Sequence, residues 1–293
     1  MGSILFAFAS AFTSALNVVT QHVASTAAPA RDRGWRLAVY LARNPLWLFG
    51  VGAIIGSFVF QAVALYDGRI SVVQSILVTE LVFSLVIGVV WLHRRVVPAA
   101  WVSALVTSAG LALFLVMSEP KGGHPGPTGR AWLPALVTFG ALTAALTMLA
   151  GRGTPVKRGA LYASASGIVA AILATFLKSA ADVLGDNGVV ATFKNWALYA
   201  LIIAVVVEII LTQAALHYGR LAVSQPLMVI VNPFVSIILG IWLYGEHFQG
   251  GAWKIAVGAV GFAIMVVGVV FLARTAPSLA APPAEPSQST ATH

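Results

Sequence analysis

The sequence predicts an all-α integral membrane protein, and three observations carry that prediction. Apolar residues make up 59% of the chain and charged residues only 9%, with a mean hydropathy of +0.92. Soluble domains carry roughly 25% charged residues, so too few charges are present to build a polar surface and lipid must be the solvent. The apolar residues also gather into runs of about twenty, the length at which a helix crosses a bilayer. Finally, part of the chain recurs at a fixed spacing, which sets how those helices are organised.

Nine runs qualify: about 2–24, 44–66, 70–92, 97–118, 131–150, 158–182, 195–218, 221–244 and 252–273. The first resembles a secretory leader because "ASTAAPA" follows it, but the first basic residue is Arg31, so the charged start of a leader is absent. "RDRGWRLAVYLARNP" (31–45) then reads as an amphipathic helix on the membrane surface, occupying about 26–43 with its arginines near anionic headgroups. Asp67-Gly68 separates the second and third runs, and "EPKGGHPGPTG" (119–129) follows the fourth. Small residues dilute the fifth and sixth runs, which "GRGTP" (151–155) separates; "DNG" (186–188) closes the sixth. Beyond Arg274 a Pro/Ala/Ser tail, 275–293, is expected to be disordered. The absence of cysteine excludes disulfides and thiolate metal sites.

A net charge of +8 and a pI near 10.2 could indicate nucleic acid, but the placement of the basic residues gives a more economical reason. With nine spans and the amino terminus outside, Arg31, Arg33, Arg36, Arg43, Arg94, Arg95, Arg152, Lys157, Arg158, Arg220 and Arg274 fall on one side. Arg69, Lys121, Arg130, Lys194 and Lys254 fall on the other. Eleven against five is the cytoplasmic bias of a multi-pass membrane protein. The carboxyl terminus is therefore expected in the cytoplasm, and no nucleic-acid partner is expected.

"ALYDGRISVVQS" (64–75) and "ALHYGRLAVSQP" (215–226) share Ala, Leu, Gly, Arg, Val and Gln at an offset of 151. The same offset matches Phe83 with Phe234 and the "WL" at 91–92 with that at 242–243. "NVVTQHVAS" (17–25) pairs more loosely with "ATFLKSAAD" (174–182). Residues 1–118 and 158–274 thus read as two repeats of four spans, joined by a linker, 119–157, that holds the fifth. An odd connecting span turns the second repeat upside down, as in many transporters with a midplane site.

"ALHYGRLAVSQPLMVIVNPFVSIILGIWLYGEHFQGGAWKIAVGAVGFAIMVVGVVFL" (215–272) resembles the closing repeat of the drug/metabolite transporter superfamily, with its EamA-like repeats. It has that family's polar turn, mid-helix proline, terminal Gly-Glu and Gly-rich last span. The nine-span layout and "SGIVAAILATFLKSAADVL" (166–184) are most similar to the NIPA-like magnesium-transporter branch. The resemblance implies an all-helical protein working by alternating access, without a cofactor, on cargoes ranging from metabolites and drugs to cations. The fold does not choose among them.

Polar residues inside the spans are the candidate pathway. Ser10, Thr13, Ser14, Asn17, Thr20 and Gln21 share one face of the first span, either packing on a neighbour or lining a hydrated cavity. Gln225, Asn232 and Ser236 repeat the pattern in the eighth span, where Pro233 frees the carbonyl near Val229 and predicts a kink or hinge. Lys178 is four residues from Asp182 and can pair with it or face the substrate. Glu246, at the outer end of the eighth span, is expected to be solvated.

Glu80 and Glu208 sit near mid-membrane, where a carboxylate costs from about 3 to more than 10 kcal/mol, and intramembrane carboxylates default to function. A protonated, hydrogen-bonded acid is the bland alternative. No P-loop, GxSxG, HExxH or CxxC pattern occurs, so an enzyme is not expected. Three functions follow: a transporter of a small metabolite or organic cation, coupled to protons through Glu80 or Glu208; a magnesium or divalent-cation transporter using those carboxylates with Asn17, Gln21 and Asn232; or a membrane scaffold. "SAGLA" (108–112) and "AVGAVGFA" (256–263) permit close packing within one chain or in a homodimer.

The charge distribution yields a topology that reporter fusions can check. A fusion after Arg158 or Arg274 should report from the cytoplasm and one at Gly123 from outside. Reporters at Gly123 and Arg274 falling on the same side would replace the nine-span arrangement with one of ten.

Overall fold

The computed structural model describes residues 2–26, 43–91, 97–118, 120–121, 129–151, 154–218, 221–248 and 251–275. The surface helix expected up to residue 43 and the tail beyond 275 lie almost wholly outside these. In hydrocarbon a backbone amide finds no water, so each apolar run bonds within itself as a helix. The helices are α1 (Gly2–Thr26), α2 (Pro45–Asp67), α3 (Ile70–Leu77), α4 (Glu80–Val90), α5 (Pro98–Ser118), α6 (Gly129–Ala150), α7 (Pro155–Lys194), α8 (Trp196–Tyr218), α9 (Leu221–Tyr244) and α10 (Ala252–Thr275). Two-residue strands, β1 (Pro120–Lys121) and β2 (His247–Phe248), pair antiparallel. Among the described residues nine spans are long and apolar enough to cross a membrane, α3 and α4 counting together as one. The chain is an all-helical, multi-pass membrane protein.

Local chemistry sets the helix ends. Asn44 caps α2 by accepting from the amides of Leu46 (2.9 Å) and Trp47 (3.3 Å), and Pro45 follows where its missing N–H costs nothing. Gly245, at φ +63°, turns the chain after α9 in the left-handed region that glycine adopts freely.

The interruptions differ in part from those expected. The third span is not one helix: the amides of Val78, Thr79 and Leu81 bond carbonyls three residues back, at 3.3, 2.9 and 3.2 Å. Ser75 and Thr79 turn their hydroxyls onto the carbonyls of Ser71 and Ile76, both at 2.7 Å, and so compete with the regular ladder. α9 continues as one helix through Pro226 and Pro233. The offset of 151 carries Val78 onto Val229, the residue whose carbonyl loses its donor to Pro233. The helix ladder therefore loses a regular bond at one equivalent position in both spans, with a break in the third and without one in α9. The sixth span does break at the expected "DNG" turn: Gly188 (φ +79°) is non-helical, and a second, short helical stretch runs from there to Lys194.

Packing follows the repeat. α1 lies on α2 and on α3–α4, as α7 lies on α8 and on α9; α5 packs on α10, and α3 on α9. Exchanging the first repeat for the second maps these neighbours onto one another. One departure stands out: α2 and α3 both pack on α7, whereas among the described residues α1 makes no comparable contact with α8 or α9. The linker helix α6 docks on the second repeat, where Trp132 stacks on Phe176 (centroids 5.0 Å apart) and meets Trp196 edge-on (5.1 Å).

The small-residue stripes of α5 and α10 face each other within the chain. A Cβ on Gly110 would collide with the backbone nitrogen of Met265, and one on Gly261 or Gly268 would come within 2.6 Å of the nitrogen of Phe114 or Thr107. Such backbone approach requires glycine. Gly110→Ala should therefore destabilise the protein by about 1–3 kcal/mol through overpacking, read as a lower unfolding midpoint in detergent. Gly140→Ala, whose Cβ would meet nothing within 4 Å, should match the wild type.

Candidate functional site

Glu80 is the first residue of α4, directly after the break at Val78–Thr79. A helix amino terminus has unpaired amides and the positive end of the helix dipole, which offset part of a carboxylate's cost. Glu80 is half-buried and its side chain lies beside Ser14 of α1. One turn further along α1, Asn17 is only 7% exposed, and its Oδ1 has no hydrogen-bond partner.

The rest of the α1 polar face divides differently. Ser10 donates to the Ser57 carbonyl (2.9 Å), and Ser57 donates back to that of Ser10 (3.0 Å), joining α1 to α2. Thr13 and Thr20 bond carbonyls of their own helix, those of Ala9 (2.8 Å) and Leu16 (2.7 Å). Packing and self-satisfaction thus account for three of the six residues, and Ser14 and Asn17 remain for a pathway. Gln21 lies in α1 and Gln225 in α9, and the side chains of both fall outside the described residues.

Asn232 meets a residue that the sequence reading left out of the site. Its Nδ2 donates to Gln74 Oε1 (3.2 Å), and its Oδ1 accepts from Ser236 (3.2 Å). Gln74 is 1% exposed, on α3 four residues before the break, and its Nε2 has no partner. The repeat carried the signal, since Gln74 occupies the position equivalent to the candidate Gln225. The Gln74–Asn232 bond joins the two repeats at their irregular spans.

Glu208 belongs to a separate network. Its Oε1 accepts from Thr212 (2.7 Å) and Ser166 (3.3 Å), whose hydroxyls lie 2.8 Å from each other, tying α8 to α7. No described residue bonds both Glu80 and Glu208. Nor do three His, Asp or Glu side chains converge anywhere among the described residues.

Lys178 and Glu246 are brought to one place, the turn between α2 and α3. Lys178, 8% exposed, donates to the carbonyls of Leu65 (2.5 Å) and Gly68 (3.1 Å) at the end of α2 and lies 3.8 Å from Asp182. Glu246 is not solvated as expected; it is 3% exposed and caps α3. Its Oε1 accepts from the Ile70 amide (2.8 Å), and its Oε2 accepts from the Ser71 hydroxyl (2.5 Å) and amide (3.4 Å). The Gly-Glu pair thus has a physical reason. Gly245 turns the chain, and Gly240 leaves room for the carboxylate, because a Cβ there would lie 2.5 Å from Glu246 Oε2.

The central bond can be weighed by mutation. Gln74→Leu strands the Asn232 amide in an apolar setting and should cost about 1–3 kcal/mol. Asn232→Leu should cost a similar amount. The double variant should recover part of the sum, because neither group is then left unpaired; thermal unfolding of the four proteins gives the coupling.

No family model matches the chain, and no solved structure matches it. An uncharacterized protein of Corynebacterium glutamicum is 28% identical over 277 residues, 93% of this chain and 95% of the relative. The likeness thus extends over nearly the full length of both chains.

Proposed function

We propose that the protein is a secondary transporter of the drug/metabolite type. It moves a small metabolite or organic cation by alternating access between two inverted repeats, with Glu80 or Glu208 carrying a coupling proton. The observation that carries this reading is the Gln74–Asn232 bond. It is a polar, incompletely satisfied contact between α3 and α9, four residues before the break in the third span and beside Pro233 of α9. Irregular backbone at membrane depth is tolerated where protein covers it or where it lines a cavity, and sites in repeat-built transporters lie there. Asn17 Oδ1 and Gln74 Nε2 supply one free acceptor and one free donor, and Glu80 adds a carboxylate beside Ser14. A membrane scaffold has no need for either the repeat or these unpaired groups.

A thermal-shift screen of amines, amino acids, sugars and divalent cations identifies a cargo, since a ligand bound only by the folded state raises apparent stability. Uptake and counterflow in proteoliposomes then test the mechanism. Glu→Gln preserves shape and hydrogen bonding while removing the titratable charge. Gradient-driven uptake should fall to the level of empty liposomes for the coupling residue, while counterflow of a neutral cargo persists. Wild-type rates from both Glu80→Gln and Glu208→Gln would remove the two carboxylates from the mechanism.

A further inference from the structure

The one clear departure from repeat-symmetric packing coincides with the most heavily bonded charged groups. α2 and α3 close on α7 at the end of the bundle that carries residues 67–70, while the equivalent contact of α1 with α8 and α9 is missing among the described residues. At that closed end lie Lys178 on the carbonyls of Leu65 and Gly68, and Glu246 on the amides of Ile70 and Ser71. Two further contacts lie there, one between the repeats and one from the linker to the second repeat. The Tyr66 hydroxyl donates to Asp186 (3.1 Å), and β1, following α5, pairs with β2, which begins one residue after Glu246.

We propose that Glu246 and Lys178 are gating residues: they clamp the α2–α3 turn to the second repeat and hold this mouth of the transport pathway shut. The inference rests on the transporter reading and deepens it. The signs are right for such a clamp. A cation sits on the carbonyl end of α2 and a carboxylate on the amide end of α3, so each group is matched to a helix terminus. The clamp is also reversible by construction. All five bonds use backbone groups or one hydroxyl on the turn, and both charged side chains that make them, Lys178 and Glu246, come from the other repeat. Rotating one repeat from the other therefore releases the turn without separating an ion pair, while Lys178 keeps Asp182 as a partner. Symmetry supplies the other state: α1 closes on α8 and α9 as the α2–α3 turn leaves α7. Glu246 has no acidic counterpart, because the offset of 151 places Arg95 at the equivalent position. The two mouths therefore close by different chemistry.

The test uses the absence of native cysteine. Spin labels at Val63→Cys on α2 and Val190→Cys on α7, both exposed positions, report the width of this mouth by pulsed dipolar spectroscopy in nanodiscs. The parent should show a dominant short distance. Glu246→Gln weakens a charged cap, and Lys178→Met removes the cation; each should shift population to a longer distance by several ångströms. Ser71→Ala removes only the hydroxyl bond and tolerates folding best; it should give a smaller shift in the same direction. Unchanged distances in folded variants, with or without a lower unfolding midpoint, would overturn the gate and leave Glu246 and Lys178 as structural staples. Uptake by the same variants separates the two proposals. Shifted distances with no transport of any solute by the parent sink the transporter reading, and unchanged distances in an active transporter sink the gate alone.

Discussion

In a bilayer, every backbone group that leaves a helix ladder must find a partner inside the protein, and the arrangement of this molecule depends on how that constraint is met. The α2–α3 turn frees carbonyls at one end and amides at the other, at the edge of the apolar region. Lys178 takes the carbonyls and Glu246 the amides, each from the second repeat. A water-exposed turn would need neither. The requirement to satisfy four backbone groups thus becomes a connection between the two halves of the chain.

The same requirement explains where polar side chains accumulate deeper in the bundle. Ser75 and Thr79 take helix carbonyls and break the third span, and Glu80 begins the helix that resumes. The carboxylate sits at a helix amino terminus, where the positive end of the helix dipole lowers the cost of an acid. Glu208 meets its cost in another way, with one hydroxyl from its own helix, Thr212, and one from α7, Ser166. The two glutamates are therefore not interchangeable. One is at a backbone break beside the repeat interface, and the other bridges α7 and α8 inside the second repeat. Glu80 is the better placed to respond to a change in how the repeats meet.

Close packing and polar contact divide the interface between them. α5 and α10 approach through glycines, with backbone against backbone and no charged group, which suits a seam that stays closed. α3 and α9 meet through Gln74 and Asn232, with Gln74 Nε2 left unpaired among the described residues. Rearrangement is cheapest where contacts are polar and incomplete, and costliest where two backbones interlock.

The sequence alone determined the all-helical membrane class and the number of apolar spans, because hydropathy and span length are one-dimensional properties. It also singled out Glu80, Glu208, Asn17 and Asn232, since an intramembrane polar residue stands out against an apolar run. Which of these meet was decided only by tertiary structure. Gln74 gained its place from Asn232, 158 residues away, and Ser10, Thr13 and Thr20 lost theirs to α2 and to their own backbone. Glu246 was read as solvated because it ends an apolar run and follows a glycine, both of which usually mark a loop. Its burial depends on the space left by Gly240 and on free amides 175 and 176 residues earlier in the chain. Helix propensity and hydropathy describe a residue's own segment, whereas a cap supplied by another segment is a property of how the segments pack.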